Sequence, residues 1–285
     1  MGKLKTTQKR VKATGDLAFK KVFGSVGNED IIAGLVNDFF GFEPTGVVIT
    51  NPYDIKVYDK ILKDSGGDFT KLSQTLNDVG AEIINGSFIA EMQMNKQKLF
   101  LARTLYYVFS RYCANYARNG NKYDDLRPVY SLNILCETWF DMDECAVKLF
   151  HLYDEYDNIK MPIDYLSVAF LEIEKTTGYR NKHQECWKRF FLGEDLPPDV
   201  PVYIRKAEKY IDFANLGKEE RRMISLEEKA RADYESVIST AKDDGREEGA
   251  RLRSFDIARN MIDKGYPASE IEVITGLSEE EIKSL

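Results

Sequence analysis

Two acids and an amide, Asp78, Glu91 and Gln93, stand in a short stretch whose turn chemistry folds it back on itself. The turn signal is Asn85-Gly86, the pair suited to a type I′ turn because both central residues need positive φ. With those two as the loop, Ile84 is expected to face Ser87, Gly80 to face Glu91 and Asp78 to face Gln93. Alternation then makes two faces. Val79, Ala81, Ile83, Phe88, Ala90, Met92 and Met94 form the apolar one. Asp78, Gly80, Glu82, Glu91 and Gln93 form the polar one. In this register Asp78 and Glu91 are diagonal neighbours, roughly 7–8 Å apart at the backbone. Carboxylates leaning across that gap can share a hard divalent cation, which takes oxygen ligands and keeps several waters. Gly80 leaves open space beside Glu91. From spacing alone, the commoner meaning of such a hairpin is an edge pair with solvated acids. A three-residue loop shifts the pairing by one and separates the acid-bearing faces.

The flanking chain reads as mixed α and β. Asp16–Phe23 and Asn28–Phe40 are expected helices, the second stopped by Gly41. Val47–Thr50 and Tyr53–Val57 read as short strands. After the hairpin, a long helix is expected from about Lys96 to Arg118, ending at Gly120. Its Phe100, Leu105, Tyr107, Phe109 and Tyr112 are read as core packing in preference to base stacking. Its Arg103 follows the hairpin closely and can contact a phosphate or make a surface ion pair. Val129–Leu135 has the content of a buried strand, which Val147–Tyr153 and Val168–Ile173 extend. From Arg180 onward the pattern is helical: Asn181–Phe191, then Tyr203–Asn215 after the breaker Leu196–Pro201. Glu219–Arg253 reads as a solvated helix or linker weakened by Gly245 and Gly249. The tail reads as short helices, Phe255–Lys264, Ser269–Thr275 and Ser278–Leu285, with Ser269 and Ser278 as caps and Gly276 as a stop. Its outline matches a helix-turn-helix, yet Glu279, Glu280 and Glu281 open the last helix. Packing or self-association therefore fits it better than DNA reading.

Composition frames these elements. The 285 residues are 43% hydrophobic and 12% aromatic, enough for one substantial core and a small second domain. A net charge of −7 argues against a chain-wide nucleic-acid surface, though not against a local one. Lys3, Lys5, Lys9, Arg10, Lys12, Lys20 and Lys21 crowd the start, which reads first as a solvated arm. Cys113, Cys136, Cys145 and Cys186 lack C-x-x-C spacing, so a zinc site is not expected and reduced thiols in or near the core are. No apolar run reaches a membrane span and no secretory stretch opens the chain, which makes the cytoplasm the expected location.

Glu91-Met92-Gln93 with Asp78 upstream resembles the PD-(D/E)XK nuclease superfamily, and specifically its Rpn-like recombination-promoting nuclease and putative transposase family. Gly15–Gly24, Arg103–Tyr107, Gly120–Tyr123, the strand Val129–Leu135 and the tail Ile271–Leu285 follow in the family's order. The resemblance implies an α/β (α+β) fold, with a restriction-endonuclease-like mixed sheet flanked by helices and a helical C-terminal region. It divides the chain into a basic arm (1–14), a nuclease-like core (15–178), a helical extension with a charged linker helix (179–253) and a small helical module (254–285). It implies a DNA endonuclease dependent on Mg2+, with Mn2+ as a substitute, associated with recombination or mobile elements. Asp78 and Glu91 would be the metal ligands, Gln93 would stand where the superfamily has lysine, and Asp16 would be an accessory acid. Arg103 and Lys20 are the candidate nucleic-acid contacts, DNA is the expected partner, and the C-terminal helices are a candidate homo-oligomer contact. Three departures bear on this. Gln93 orients water but supplies no net charge, which lowers the expected rate. Gly80 stands where relatives carry a basic or larger residue. The segment Asp64–Gln74 is longer and more polar than a strand connection requires. The alternative is a weak or inactive nuclease-fold protein that binds DNA or a protein partner.

Overall fold

The computed structural model describes residues 11–67, 78–118, 123, 126–161 and 165–285, the side chains of Asp78 and of residues 115–118 falling outside that description. The arm expected at residues 1–10 and most of the 64–74 connection lie outside the described residues. Two compact units emerge, Met1–Glu227 and Glu228–Leu285.

The first unit is built on a six-stranded mixed sheet of order β1-β2-β3-β4-β6-β5. The strands are β1 (Val48–Ile49), β2 (Asp78–Ile83), β3 (Gly86–Gln93), β4 (Val129–Leu135), β5 (Val147–Phe150) and β6 (Leu166–Glu172). β3 pairs antiparallel with β2 and parallel with β4, and β4 pairs parallel with β6. A sheet covered on both faces needs apolar side chains on both. Every residue of β3 is accordingly buried.

One face carries Val79, Ala81, Phe88, Ala90, Met92, Leu132 and Ile134. Helices α1 (Asp16–Gly24), α2 (Glu29–Phe40), α5 (Lys182–Leu192) and α6 (Val202–Tyr210) pack over it in the main core. The other face is covered by α4 (Phe100–Arg118), whose Phe100 and Val108 meet Ile89, Val129, Leu135, Val168 and Phe170. Spacings of four along α4 bury Phe100, Thr104 and Val108. Leu105 and Phe109, expected in the core, are exposed because they turn away from the sheet, and Tyr107, expected there too, is exposed at the margin of the covered face.

Several expectations are corrected. Tyr53–Val57 is no strand: α3 runs Ile55–Asp64, started by the Asp54 carboxylate accepting from the Lys56 N–H at 2.9 Å. Its Tyr58 and Leu62, four apart, are buried. Of the four thiols only Cys186 is buried, while Cys113 and Cys145 are exposed.

The hairpin forms with a two-residue loop as expected, but the loop sits one residue earlier and the pairing register shifts by two. Asp78 pairs with Glu91, Gly80 with Ile89 and Ile83 with Gly86. Ile84 and Asn85 make the turn, and neither they nor Gly86 has positive φ. Gly86 serves a different need. A Cβ there would stand 2.8 Å from the Pro128 carbonyl oxygen, at the point where β3 joins β4 through the Ser87 N–H. Ile84 is tied by its N–H to the Thr45 carbonyl at 2.9 Å. A shift of two preserves both faces, so the acids remain on one side.

Beyond the sheet, α7 (Lys218–Asp263) continues through Gly245, Gly249 and the expected start at Phe255 as one helix, contributing residues to both units. In the second unit, α8 (Ala268–Thr275) starts after Pro267, not at Ser269. α9 (Glu279–Lys283) has a complete capping box between Ser278 and Glu281. Ala258, Ile271, Leu277 and Ile282 form its core. No helix among the described residues is long and apolar enough to cross a membrane.

Candidate metal centre

β3 sends alternate side chains into the two layers that cover the sheet. Met92 points into the main core. Its neighbours Glu91 and Gln93 point beneath α4, each about 5% exposed. A carboxylate so buried needs a counter-charge. Arg103, in the first turn of α4, provides it: Nη2 donates to Glu91 Oε1 at 2.9 Å and to Gln93 Oε1 at 2.7 Å, while Nη1 donates to Gln97 Oε1 at 2.6 Å. The guanidinium carbon lies 5.4 Å from the centre of the Phe100 ring. Gln93 turns its other end away, Nε2 donating to the Asn95 carbonyl at 2.6 Å. Its oxygen is therefore the atom presented to the site.

Asp78 pairs directly with Glu91 across the ladder. Directly opposed residues share a face of the sheet with Cα atoms about 4.5–5.5 Å apart. This is closer than the diagonal relation expected from the turn. The Asp78 side chain itself lies outside the described residues. Gly80 does not flank Glu91; it faces Ile89, and its supposed open space holds Thr50, whose Oγ1 would lie 2.7 Å from a Cβ. The Asn51 side chain accepts from the Gly80 N–H at 2.8 Å, fixing this stretch of β2.

The same polar face continues inward. Asn133, opposite Glu91 on β4, bonds Ser131 Oγ at 3.1 Å and accepts from Thr104 at 3.4 Å. Glu82 accepts from Arg111 at 2.7 Å and from Ser87 at 2.8 Å. Sequence reading missed these partners. The signal was the placement of Arg103, Thr104, Val108 and Arg111 on one helical face, above strands whose alternate residues are polar.

Asp16 opens α1, and its backbone N–H donates to the buried Glu227 at 2.5 Å, a carboxylate suited to a helix N-terminus. Lys20, on the same helix, is 2% exposed with its stem against Gly24, so a phosphate backbone has no direct access to it.

The donor set fits a hard divalent ion. Carboxylate and amide oxygens are the ligands such ions take, and the oxygens of Glu91 and Gln93 already converge on one cationic nitrogen. Among the described residues no three His, Cys, Asp or Glu side chains form a metal-binding group. The residues that could hold an ion here are Glu91 and, one rung across the ladder, Asp78, with the Gln93 oxygen beside them.

A second buried acid has a different character. Asp38, on α2 and 3% exposed, accepts from Trp187 Nε1 at 2.8 Å and from the Tyr203 hydroxyl at 2.9 Å, and lies 2.8 Å from His183 Nδ1. Its backbone carbonyl accepts from Asn181 and Gln184, both at 2.8 Å. Burial, then the adjacent Asp38 charge, pushes the Tyr203 hydroxyl above its ordinary pKa. This network joins α2, α5 and α6.

Neither a curated protein nor a solved structure matches the chain. A family model does: the one described as PD-(D/E)XK nuclease family transposase matches residues 13–241. That span holds the sheet, α4 and every residue of the polar site beneath it. With the mixed sheet and the acid pair of β2 and β3 in place, the chain belongs to the PD-(D/E)XK nuclease family transposases.

Proposed function

We propose that this protein is a metal-dependent DNA endonuclease, with Asp78 and Glu91 as ligands of Mg2+ or Mn2+ and Gln93 as the residue that orients the attacking water. The observation that carries this reading is the direct ladder pairing of Asp78 with the buried Glu91, in a sheet that the nuclease-transposase family model spans. When bound, the ion supplies an activated water and neutralises charge on the scissile phosphate.

The residues divide the remaining work. The carboxylate of Glu91 is held under α4, where low water content strengthens its hold on a cation. Gln93 accepts through Oε1, which aligns a water but adds no charge. Arg103 contributes, from α4, the positive charge that Gln93 lacks. Asp16 is assigned the accessory acid role on the first turn of α1. Membership in a transposase family supports a substrate in mobile or recombining DNA.

The second reading, a protein that binds DNA or a protein partner without cutting, is favoured by the neutral Gln93 and by the pairing of Glu91 with Arg103. Supercoiled plasmid incubated with Mg2+ or Mn2+ separates the two. The nuclease reading expects nicking or linearisation by the wild type and a loss of about 100-fold or more in Asp78→Ala and Glu91→Ala. Cutting that continues unchanged in both variants excludes this site. Salt-sensitive retention of DNA with no cutting under either ion selects the second reading.

A further inference from the structure

We propose that Arg103 is an exchangeable counter-ion: it holds the place of the metal at Glu91, and a divalent ion releases it toward the DNA backbone, so that metal and DNA bind cooperatively. The inference rests on Glu91 being a metal ligand, as proposed above.

The geometry makes the two occupants exclusive. A single nitrogen, Nη2, lies within hydrogen-bond distance of Glu91 Oε1, the carboxylate that would hold an ion, and of the neighbouring Gln93 Oε1. A divalent ion at that point would sit a few ångströms from the guanidinium charge in a site sheltered from water, where like charges repel strongly. One of them must leave, and Glu91 cannot, because β3 is locked by β2 on one edge and β4 on the other.

Arg103 can. Its side chain is one-third exposed, whereas that of Glu91 is 7% exposed. Its Nε is buried with no hydrogen-bond partner among the described residues, so the present pose leaves a buried donor unsatisfied. Its third contact, Gln97, lies on the exposed side. The helix beneath is anchored by buried Phe100, Thr104 and Val108, so release needs a change of rotamer and no movement of α4.

The released group stays at the mouth of the same site. A guanidinium matches phosphate oxygens in a bidentate fork, and the phosphate to be cut is the anion that arrives there. Metal therefore liberates a DNA contact, and DNA, by drawing Arg103 outward, clears the metal position. Thermodynamic reciprocity makes the two enhancements equal.

Calorimetric titration of the full chain with Mn2+, without DNA, tests the exchange apart from catalysis. Arg103→Gln, which keeps polarity and loses charge, is expected to bind Mn2+ about tenfold or more tightly than the wild type, since the ion no longer competes with a charged hydrogen bond. Arg103→Ala is expected to do the same. Fluorescence anisotropy with a phosphorothioate duplex gives the second arm: Mn2+ tightens wild-type DNA binding, and in Arg103→Gln that tightening is lost. Wild-type DNA affinity that is identical with and without Mn2+ overturns the proposal, a result that needs no variant to fold. So does Mn2+ affinity in both variants equal to or weaker than wild type. If Glu91→Gln abolishes Mn2+ binding while the Arg103 variants leave it unchanged, the metal site stands and only the exchange falls. Absence of Mn2+ binding by the wild type and both Arg103 variants removes the metal site, and the exchange with it.

Discussion

Replacing Asp38 tests whether the buried acid beside His183 belongs to the scaffold or to the chemistry. In Asp38→Ala, the indole N–H of Trp187, a fully buried side chain, loses its acceptor and gains no water, a cost of about 1–3 kcal/mol. Tyr203 and His183 are only partly buried, so they rehydrate in part and add about 1–2 kcal/mol together. Relief from burying a carboxylate offsets some of this. The expected net loss is about 3 kcal/mol, a large share of the ~5–15 kcal/mol that holds a domain folded. Asp38→Asn keeps one acceptor but turns an NH2 toward a donor, and about 1–2 kcal/mol is expected. Urea unfolding followed by tryptophan fluorescence and far-UV circular dichroism measures these values. A cycle with Trp187→Phe isolates the 2.8 Å bond, for which a coupling of about 1–2 kcal/mol is expected. A loss below about 1 kcal/mol for Asp38→Ala, or zero coupling, refutes the scaffold role. DNA cleavage lost by Asp38→Asn with stability intact would instead make Asp38, His183 and Tyr203 part of the reaction.

Two further outcomes rest on packing and charge. Gly34→Ala places a Cβ 2.4 Å from the Tyr203 ring, and Tyr203 is held by Asp38, so about 1–3 kcal/mol of stability should be lost in a denaturant titration. At Glu220 burial is the largest influence and raises the pKa, but bonds from Lys21 (2.7 Å), Gly217 (2.8 Å) and Tyr53 (3.0 Å) together outweigh it, and the net value lies below the ordinary 4.5. A depressed carboxyl stabilises the fold above its unfolded pKa and ceases to do so as pH falls through the folded value. The stability gap between wild type and Glu220→Gln should therefore be full near pH ~7 and close on acidification below about pH 4 in melting curves.

The sequence made legible those elements whose signals are local. α2 ends where Gly41 adopts positive φ, β4 occupies Val129–Leu135 as its apolar run requires, and α5 starts at the Asn181 cap. Asp78, Glu91 and Gln93 were readable as a group because alternation puts them on one face whichever even register forms. The exact register was not, because Gly86 can signal a left-handed turn or a close backbone approach, and only the neighbouring Pro128 decides. Tyr53–Val57 misled for a similar reason: Asp54 acts as a cap once Tyr58 and Leu62 have a core to meet. The partner of Glu91 lay twelve residues away on another element. Its identity depended on how α4 crosses the sheet, which no periodicity in one segment reports.

The strand order carries one more implication. Among the described residues the sheet's outer strands are β1 and β5, and β1 engages β2 only at Ala81 and Glu82, with Thr50 reaching Gly80. An incoming chain that lengthens this sheet must therefore join at a rim, leaving the ladder between Asp78 and Glu91 as it is. Assembly by edge annexation and upkeep of the acid pair are thus separable traits, and drift at either border is free to remodel quaternary structure without touching that pair.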